Sequence, residues 1–371
     1  MKSPHRIAAA LLTSAALLAA GASSAAVAAA APSTVFVQTD GLSGNQIVAY
    51  DRHGGGALQQ IGTYATGGLG GQLTGSVVDH LASQGGLAYD QQDGLLLAVN
   101  AGSGTLAVFG VYGQRLALRQ DISTGGAFPA SVTVGDGRAY VLNAAGGGDI
   151  QGYAIHAGRL APIPGANVPL GLPQEEPQFT HTPGQVTLTP DGSKLIVTTK
   201  AASNAVEVFD VATDGTLSAP VVNSEPGAVP FAVAFDAQGD PVVAEAAGAL
   251  VAFRLEADDT LAQLDSVATG QAATCWVVAD HNRFFTSNAG SASLTGFLSS
   301  QGGNLLTDLG NTPTDAGTVD AAVAQGGHYV FVQTGAEGKV DEFEVGPKGT
   351  LTRIGAVTVP GAIGGEGIVV T

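Results

Sequence analysis

The sequence is poor in charge, in cysteine and in long apolar runs. Only 12% of its 371 residues are charged, and 14 Lys and Arg face 31 Asp and Glu, which gives a net charge of −17. Binding a phosphate backbone takes clusters of Lys and Arg, so we expect neither nucleic acid nor an anionic membrane as a partner. One cysteine excludes an internal disulfide. Beyond residue 31 no segment approaches the roughly 20 apolar residues of a membrane helix, so we predict no membrane insertion.

The N-terminal segment has the pattern of a cleaved secretory signal. Lys2 and Arg6 precede an alanine-rich apolar run over residues 7–20, and Ala-Val-Ala at 26–28 fits an A-x-A cleavage site. We therefore predict a signal peptide over residues 1–31. The protein is then expected to be secreted, either periplasmic or extracellular.

Glycine is abundant, with 54 residues, and the chain contains a sevenfold repeat. Each copy has an apolar run, a small polar loop, an alternating run and a terminal aromatic, as in LLAVNAGSGTLAVF and FFTSNAGSASLTGF. Most copies are preceded by an Asp/Gly turn such as TPDG. Four short strands in a period of about 44 residues are typical of a β-propeller blade. The terminal aromatics are Tyr50, Phe109, Tyr153, Phe209, Phe253, Phe297 and Phe343.

The repeat predicts an all-β fold, a single seven-bladed β-propeller over residues 34–371 with four antiparallel strands in each blade. The first copy lacks its first strand, whereas the chain ends in GGEGIVVT, an additional strand after blade 7. We expect this C-terminal strand to pair into blade 1 and close the ring, because closure removes open sheet edges. We also expect a monomer.

One face of such a propeller carries both the loops between second and third strands and the connections between blades. Two of these connections are long, near residues 66–86 and 166–185, and insertions on one face are typical of a binding side. They bring His80 and His181 to this face, which we call the top face. Polar residues also end the second strands of several blades, among them Asn100, Asn143, Glu245 and Asn288.

Cations are scarce at this face. Lys200 is one of two well-placed lysines, and the binding of phosphate or carboxylate normally relies on Arg or Lys. We therefore expect a small neutral or cationic ligand at the central mouth. Cys275 lies in the apolar run ATCWVV, and we interpret it as a packing residue. The candidate ligand-binding residues are His80, Asn100, Asn143, Lys200, Asn288, Asp320 and Glu366.

The repeats YVLNAAGGGDIQGYAI and TPGQVTLTPDGSKLIVTTKAASNAVEVFDV resemble those of the lactonase-type seven-bladed propellers. That group includes bacterial 6-phosphogluconolactonase and fungal carboxymuconate cyclase, and the repeats are also similar to YVTN-type surface propellers. The resemblance covers residues 34–371 and implies a top-face pocket in which His, Glu and Arg open or close a lactone. It places His181 and Glu245 at positions where members of the family carry a histidine and a glutamate. Ser-Asn-Arg-Gly of the family is Ser-Asn-Ala-Gly here, with Ala289 in place of the arginine.

The sequence is compatible with two functions. The first is hydrolysis of a neutral lactone or ester, with Glu245 as general base and His181 as acid or oxyanion partner. The missing arginine argues against sugar phosphates. No cofactor is identified, although a divalent metal held by Glu245 and neighbouring carboxylates could replace the arginine. The alternative is a non-catalytic secreted propeller that binds a small ligand or a surface partner, and a mouth plugged by the long connections would favour it.

Overall fold

A computed structural model describes residues 33–52 and 57–371, together with Met1. The segment over which we predict a signal peptide lies outside these ranges. The described residues form 28 strands, two short helical elements and the turns between them. In these ranges no helix is long and apolar enough to cross a membrane.

The helical elements are α1 (Gln178–His181) and a 3-10 turn (Lys200–Ala202). In chain order the strands are β1 (Thr34–Gln38), β2 (Gln46–Arg52), β3 (Leu58–Ala65), β4 (Leu87–Asp90), β5 (Leu95–Asn100), β6 (Thr105–Tyr112), β7 (Arg115–Ser123), β8 (Pro129–Gly135), β9 (Arg138–Asn143), β10 (Asp149–His156), β11 (Arg159–Pro169), β12 (Gln185–Leu188), β13 (Lys194–Thr198), β14 (Ala205–Asp210), β15 (Val221–Ser224), β16 (Pro230–Phe235), β17 (Pro241–Glu245), β18 (Ala249–Leu255), β19 (Leu261–Ala268), β20 (Thr274–Asp280), β21 (Arg283–Asn288), β22 (Ser293–Ser300), β23 (Leu305–Pro313), β24 (Thr318–Val323), β25 (Tyr329–Thr334), β26 (Lys339–Val345), β27 (Leu351–Thr358) and β28 (Ile368–Val370).

The strands form seven antiparallel sheets of four, which confirms the predicted seven-bladed propeller. Blades 2 to 7 are consecutive meanders, β4–β7 through β24–β27, and their first strands contact one another around the axis. Blade 1 has the order β28-β1-β2-β3. In that blade Val35 lies opposite Val370 and Val37 lies opposite Ile368. The predicted closure of the ring by the C-terminal strand is therefore confirmed.

The blades are held together by seven apolar layers, one between each pair of neighbours. Each layer contains one terminal aromatic of the repeat, and all seven aromatics are at most 1% exposed. Inner strands such as β5 are buried at every residue, because both of their faces pack against other blades. They therefore read as continuous apolar runs, whereas outer strands such as β3 alternate between exposed and partly buried residues.

Two long connections distinguish the top face. Loop A, residues 66–86, joins β3 to β4, and loop B, residues 170–184, joins β11 to β12 and contains α1. Both were expected at this face from the repeat spacing, and both contribute to the site described next.

Candidate functional site

Loop A fills the centre of the ring. The Ser83 hydroxyl donates to the carbonyl oxygen of Ala130 in blade 3 at 2.7 Å, and the indole N–H of Trp276 in blade 6 donates to the carbonyl oxygen of Ser83 at 2.6 Å. The Gln84 side chain exchanges two hydrogen bonds with the backbone of Val277, at 2.9 and 3.0 Å. Because these partners lie on different sides of the ring, loop A closes the central channel.

Loop B packs against loop A, and Lys200 of blade 4 fastens both. The backbone N–H of Phe179 donates to the carbonyl oxygen of Thr74 at 3.3 Å. The Lys200 ammonium donates to the carbonyl oxygen of Ala82 at 2.6 Å, to that of Phe179 at 2.8 Å and to the Thr182 hydroxyl at 3.1 Å. An ammonium has three N–H donors, so all three are engaged by the two loops.

A cavity of about 640 Å³, the main cavity, lies beside loop A between blades 4, 5 and 6. Sites for small molecules typically have roughly 300–1,000 Å³. The rings of Phe231 and Trp276 form one wall, with centroids 4.8 Å apart and planes at 56°. The other apolar lining residues are Val77, Val78, Ala82, Phe179, Val229, Ala246, Ala247, Ala273, Cys275 and Ala289, and the polar ones include Ser76, Asp79, Thr180 and Lys200.

Asp79 and Lys200 are the charged groups that line this cavity among the described residues. The carboxylate of Asp79 accepts backbone N–H bonds from Leu81 at 2.9 Å and from Ser83 at 3.0 Å. Burial raises the pKa of Asp79 to about 7, against the lowering effect of these donors and of Lys200. Burial lowers the pKa of Lys200 to about 7, against the opposite effect of Asp79. Both groups can therefore change protonation near neutral pH.

Cys275 also lines the main cavity, and it is 7% exposed. Burial raises the pKa of its thiol to about 12. The thiolate is the nucleophilic form of cysteine, so this side chain remains a neutral thiol at physiological pH. Its surroundings agree with the packing role expected from the sequence.

An acid cluster, formed by Asp40, Asp320 and Glu366, lies where blades 7 and 1 meet, and, after burial, the charge of Asp79 contributes to raising the pKa of all three. All three side chains are buried. Glu366 accepts from the backbone N–H of Gly86 at 3.1 Å, and its own N–H donates to the carboxylate of Asp40 at 2.7 Å. Burial raises the pKa of Asp40 to about 8 and that of Asp320 to about 7, and it raises the pKa of Glu366 well above its ordinary value. Asp320 and Glu366 are thus placed in this cluster and not in the lining of the main cavity.

The structure does not bring His181 and Glu245 into one cavity. His181 ends α1, with Nε2 3.6 Å from a carboxylate oxygen of Glu175, and it lines a smaller cavity of about 200 Å³. Glu245 ends β17 and lines neither cavity. Burial raises the pKa of Glu245 to about 7, with a further contribution from the negative charge of Glu225. The paired role predicted for these two residues has no geometric support here.

His80 of loop A is not in the lining of the main cavity. Its backbone N–H donates to the carbonyl oxygen of Gly364 at 2.8 Å, and its buried Nδ1 has no hydrogen-bond partner among the described residues. Burial lowers the pKa of this imidazole. His80 thus connects loop A to the closing segment of the ring, which is the stretch of chain just before β28.

The asparagines that end the second strands are fully buried and bonded to neighbouring protein groups. In Asn288 the side-chain oxygen accepts from the Thr274 hydroxyl at 2.7 Å, and the amide donates to the Thr295 hydroxyl at 2.8 Å. Asn100 and Asn143 make comparable bonds, to Thr66 at 2.7 Å and to Asp149 at 2.8 Å respectively. None of the three asparagines lines the main cavity. Their ligand-binding role, predicted from strand-end polarity, therefore has no support in this geometry, which shows them holding blade edges.

Of the nine residues predicted as catalytic or ligand-binding, Lys200 alone lines the main cavity. All nine lie in the described ranges. The aromatic wall of Phe231 and Trp276 was not anticipated. The length of loops A and B was the signal that located this face. No sequence pattern distinguished an apolar cavity wall from an apolar core.

A divalent metal in place of the arginine, the alternative raised from the sequence, has no binding site in the described part of the chain. No group of three or more His, Cys, Asp or Glu side chains there could hold a metal ion. Glu245, the ligand proposed from the sequence, has Glu225 as its charged neighbour. We therefore derive no chemical step through a metal.

Comparison with known proteins places this geometry in a wider group. A family model described as "Lactonase, 7-bladed beta-propeller" matches residues 50–364. No curated protein matches the chain in sequence.

Solved structures with low sequence identity share the fold. A protein from Lactobacillus plantarum has 20% identity and a TM-score of 0.74, covering 92% of this chain and 99% of that one. The periplasmic gluconolactonase of Pseudomonas aeruginosa has 19% identity and a TM-score of 0.73, with the same coverage, 92% and 99%. A candidate 6-phosphogluconolactonase from Bacteroides fragilis NCTC 9343 has 19% identity and a TM-score of 0.71, covering 93% and 99%.

Proposed function

The chain belongs to the lactonase family of seven-bladed β-propellers, and from this premise we propose that it hydrolyses a neutral lactone or related ester in the main cavity. The observation that carries the proposal is the position of Asp79, a buried carboxyl group in the lining of a cavity large enough for a small molecule. The name of the Pseudomonas aeruginosa relative supports a lactone as the substrate class.

Asp79 is the candidate general base. Backbone N–H groups of Leu81 and Ser83 hold its two carboxylate oxygens, which fixes the orientation of the group. A base is most effective when its pKa lies near the working pH, and the pKa of Asp79 is about 7. The carboxylate would take a proton from water as the water oxygen bonds to the lactone carbonyl carbon. The ring C–O bond then breaks, and the proton passes to the leaving alkoxide to give a hydroxy acid.

The cavity favours a neutral substrate, because the cation in its lining is already hydrogen-bonded to the protein. Lys200 is the cation in its lining among the described residues, and its three N–H donors are engaged by Ala82, Phe179 and Thr182. Recognition of phosphate or carboxylate normally uses free Arg or Lys donors. A sugar phosphate would therefore find no free cationic donor in the described lining of this cavity.

The test is base uptake by the purified protein with a panel of neutral and phosphorylated lactones, for the wild type, Asp79→Asn and Glu245→Gln. Loss of turnover in Asp79→Asn, with turnover retained in Glu245→Gln, is the expected result. The reverse pattern would instead support the base predicted from the sequence. Retained binding, followed by the fluorescence of Trp276, shows that an inactive variant is still folded at the site.

A second candidate is a binding propeller without catalysis. Its supporting observations are the closure of the central channel by loop A and the full engagement of the Lys200 ammonium, which has no N–H left to stabilise an oxyanion in the cavity. A wild-type protein that binds neutral lactones in the same panel and hydrolyses none of them would favour this function.

Export is part of the proposal. It rests on the signal pattern over residues 1–31 and agrees with the periplasmic location in the name of the Pseudomonas aeruginosa relative. The mass of the mature protein isolated from the producing cells is expected to correspond to a start just after this segment. A mass that includes it would contradict export by cleavage.

A further inference from the structure

We propose that the main cavity selects lactones that carry an alkyl chain, with the chain lodged against Phe231 and Trp276, and that it rejects polyhydroxylated sugar lactones. The lactone part of this inference rests on the proposed function. The apolar character of the ligand rests on the cavity itself and is independent of turnover.

The walls of the cavity are suited to an aliphatic chain. Phe231 and Trp276 supply an apolar surface on one side, and Phe179 of loop B adds a third aromatic ring. Ala246 and Ala289, from the second-to-third-strand turns of blades 5 and 6, have small side chains that leave space between these rings. Burial of each methylene group against such walls is favourable.

The polar groups of the cavity are already bonded to the protein. The Trp276 N–H donates to Ser83, and the Lys200 ammonium donates to three protein oxygens. Each carboxylate oxygen of Asp79 accepts one backbone N–H. A sugar lactone would bring several hydroxyl groups into a cavity with few free partners, and burying unpaired hydroxyls is unfavourable. A simple lactone needs partners only around its ester group.

The rim of the cavity is apolar, like its walls. Val77 of loop A lines the cavity and is 83% exposed. Ala289, in the same lining, has a small uncharged side chain. An apolar side chain therefore lies at the opening, and Ala289 offers no charge that would bind an anion.

Trp276 is the one tryptophan in the chain and lines the cavity, so its fluorescence reports occupancy without a label. The protein is titrated with γ-butyrolactone, γ-hexalactone, γ-octalactone and γ-decalactone, and with glucono-δ-lactone. We expect Kd to fall about fourfold for each added methylene that becomes buried. Glucono-δ-lactone is expected to give no saturable change.

A cavity-filling variant with a matched control localises the effect. Ala289→Leu is expected to weaken γ-decalactone binding by about tenfold or more, because it occupies space beside the aromatic wall, and to change γ-butyrolactone binding little. Ala336→Leu makes the same change in the exposed second-to-third-strand turn of blade 7 and is expected to leave the series unaltered. Thermal unfolding of both variants shows whether they are folded.

Failures of the two proposals are distinguishable. A series with no dependence on chain length, or tighter binding of glucono-δ-lactone than of γ-decalactone, overturns the inference. Turnover of glucono-δ-lactone alone overturns it as well while supporting lactone hydrolysis. Chain-length-dependent binding without any base uptake supports the inference and contradicts hydrolysis.

Discussion

Glu366→Gln is expected to reduce the pH dependence of the protein's stability. Oε1 of Glu366 accepts from the N–H of Gly86 at 3.1 Å. Oε2 accepts from the Ser83 hydroxyl at 3.3 Å, and that hydroxyl also donates to the carbonyl oxygen of Ala130 at 2.7 Å. Burial beside other carboxyl groups favours a protonated Glu366 in the folded protein. A glutamine amide can keep both contacts, since its oxygen accepts and its nitrogen donates.

The size of the effect follows from proton linkage. Burial, and then the charges of Asp320, Asp79 and Asp40, raise the pKa of Glu366 in the folded state. The folded protein then holds a proton that the unfolded chain releases above its ordinary Glu pKa. Stability from this group is fully present below that ordinary pKa and is lost as pH rises towards the folded value. One proton corresponds to about 1.4 kcal/mol for each pH unit between the ordinary and the folded pKa.

The assay is urea unfolding of wild type and Glu366→Gln at pH 5, 6, 7 and 8. Between pH 5 and pH 7 the free energy of unfolding of the wild type should fall more than that of the variant, by up to about 3 kcal/mol. The variant should be the more stable protein at pH 7. Glu344→Gln, at an exposed position of β26, is the control and should follow the wild type. Parallel pH profiles for wild type and Glu366→Gln would refute the reasoning, because Glu366 would then be ionised in the folded protein.

Three further predictions concern the blade edge, the base and the loops. Asn288→Ala removes a fully buried side chain that bonds Thr274 and Thr295. It is expected to reduce the free energy of unfolding in urea by about 2 kcal/mol or more without changing lactone affinity; an unchanged stability would contradict its structural role. If Asp79 is the base, kcat/KM for a neutral lactone should rise with pH and level off above about pH 7. The measurement is a pH–rate profile, and a profile that is flat from pH 5 to 8 would argue against this role. Lys200→Met removes three hydrogen bonds to loops A and B, so limited proteolysis should cleave these loops several times faster; equal rates would show that Lys200 does not hold them.

The fold was predictable from the sequence because its signals are local and repeated. Phe297 and its six counterparts lie at corresponding positions inside the third strands, and each occupies one layer between blades. The unpaired strand at the C-terminus could belong only to the blade that lacked one. Val35 opposite Val370 confirms that assignment.

The site was less predictable because its residues come from distant parts of the chain. Asn288, a polar residue at a strand end, fits both a ligand contact and a structural hydrogen bond, and the choice depends on where Thr274 lies. Phe231 and Trp276 read as core residues, since an apolar pattern is the same beside a cavity as in a packed layer. Glu245 and His181 belong to different blades, and spacing along the chain does not determine whether such groups converge.

The path of loop A explains most of the remaining difference between the predicted and the observed site. Its length indicated the top face, but its composition did not show that Ser83 and Gln84 would bond blades 3 and 6 across the ring axis. That path closes the channel, places Asp79 at the cavity, and turns His80 towards the closing segment.

The most direct test of the central claim is base uptake at constant pH with γ-decalactone, for the wild type and for Asp79→Asn. The account predicts one equivalent of acid released per lactone by the wild type, and none above background from an Asp79→Asn variant that still binds the lactone at Trp276. No uptake by folded wild-type protein with any neutral lactone, or equal uptake by the variant, would contradict it.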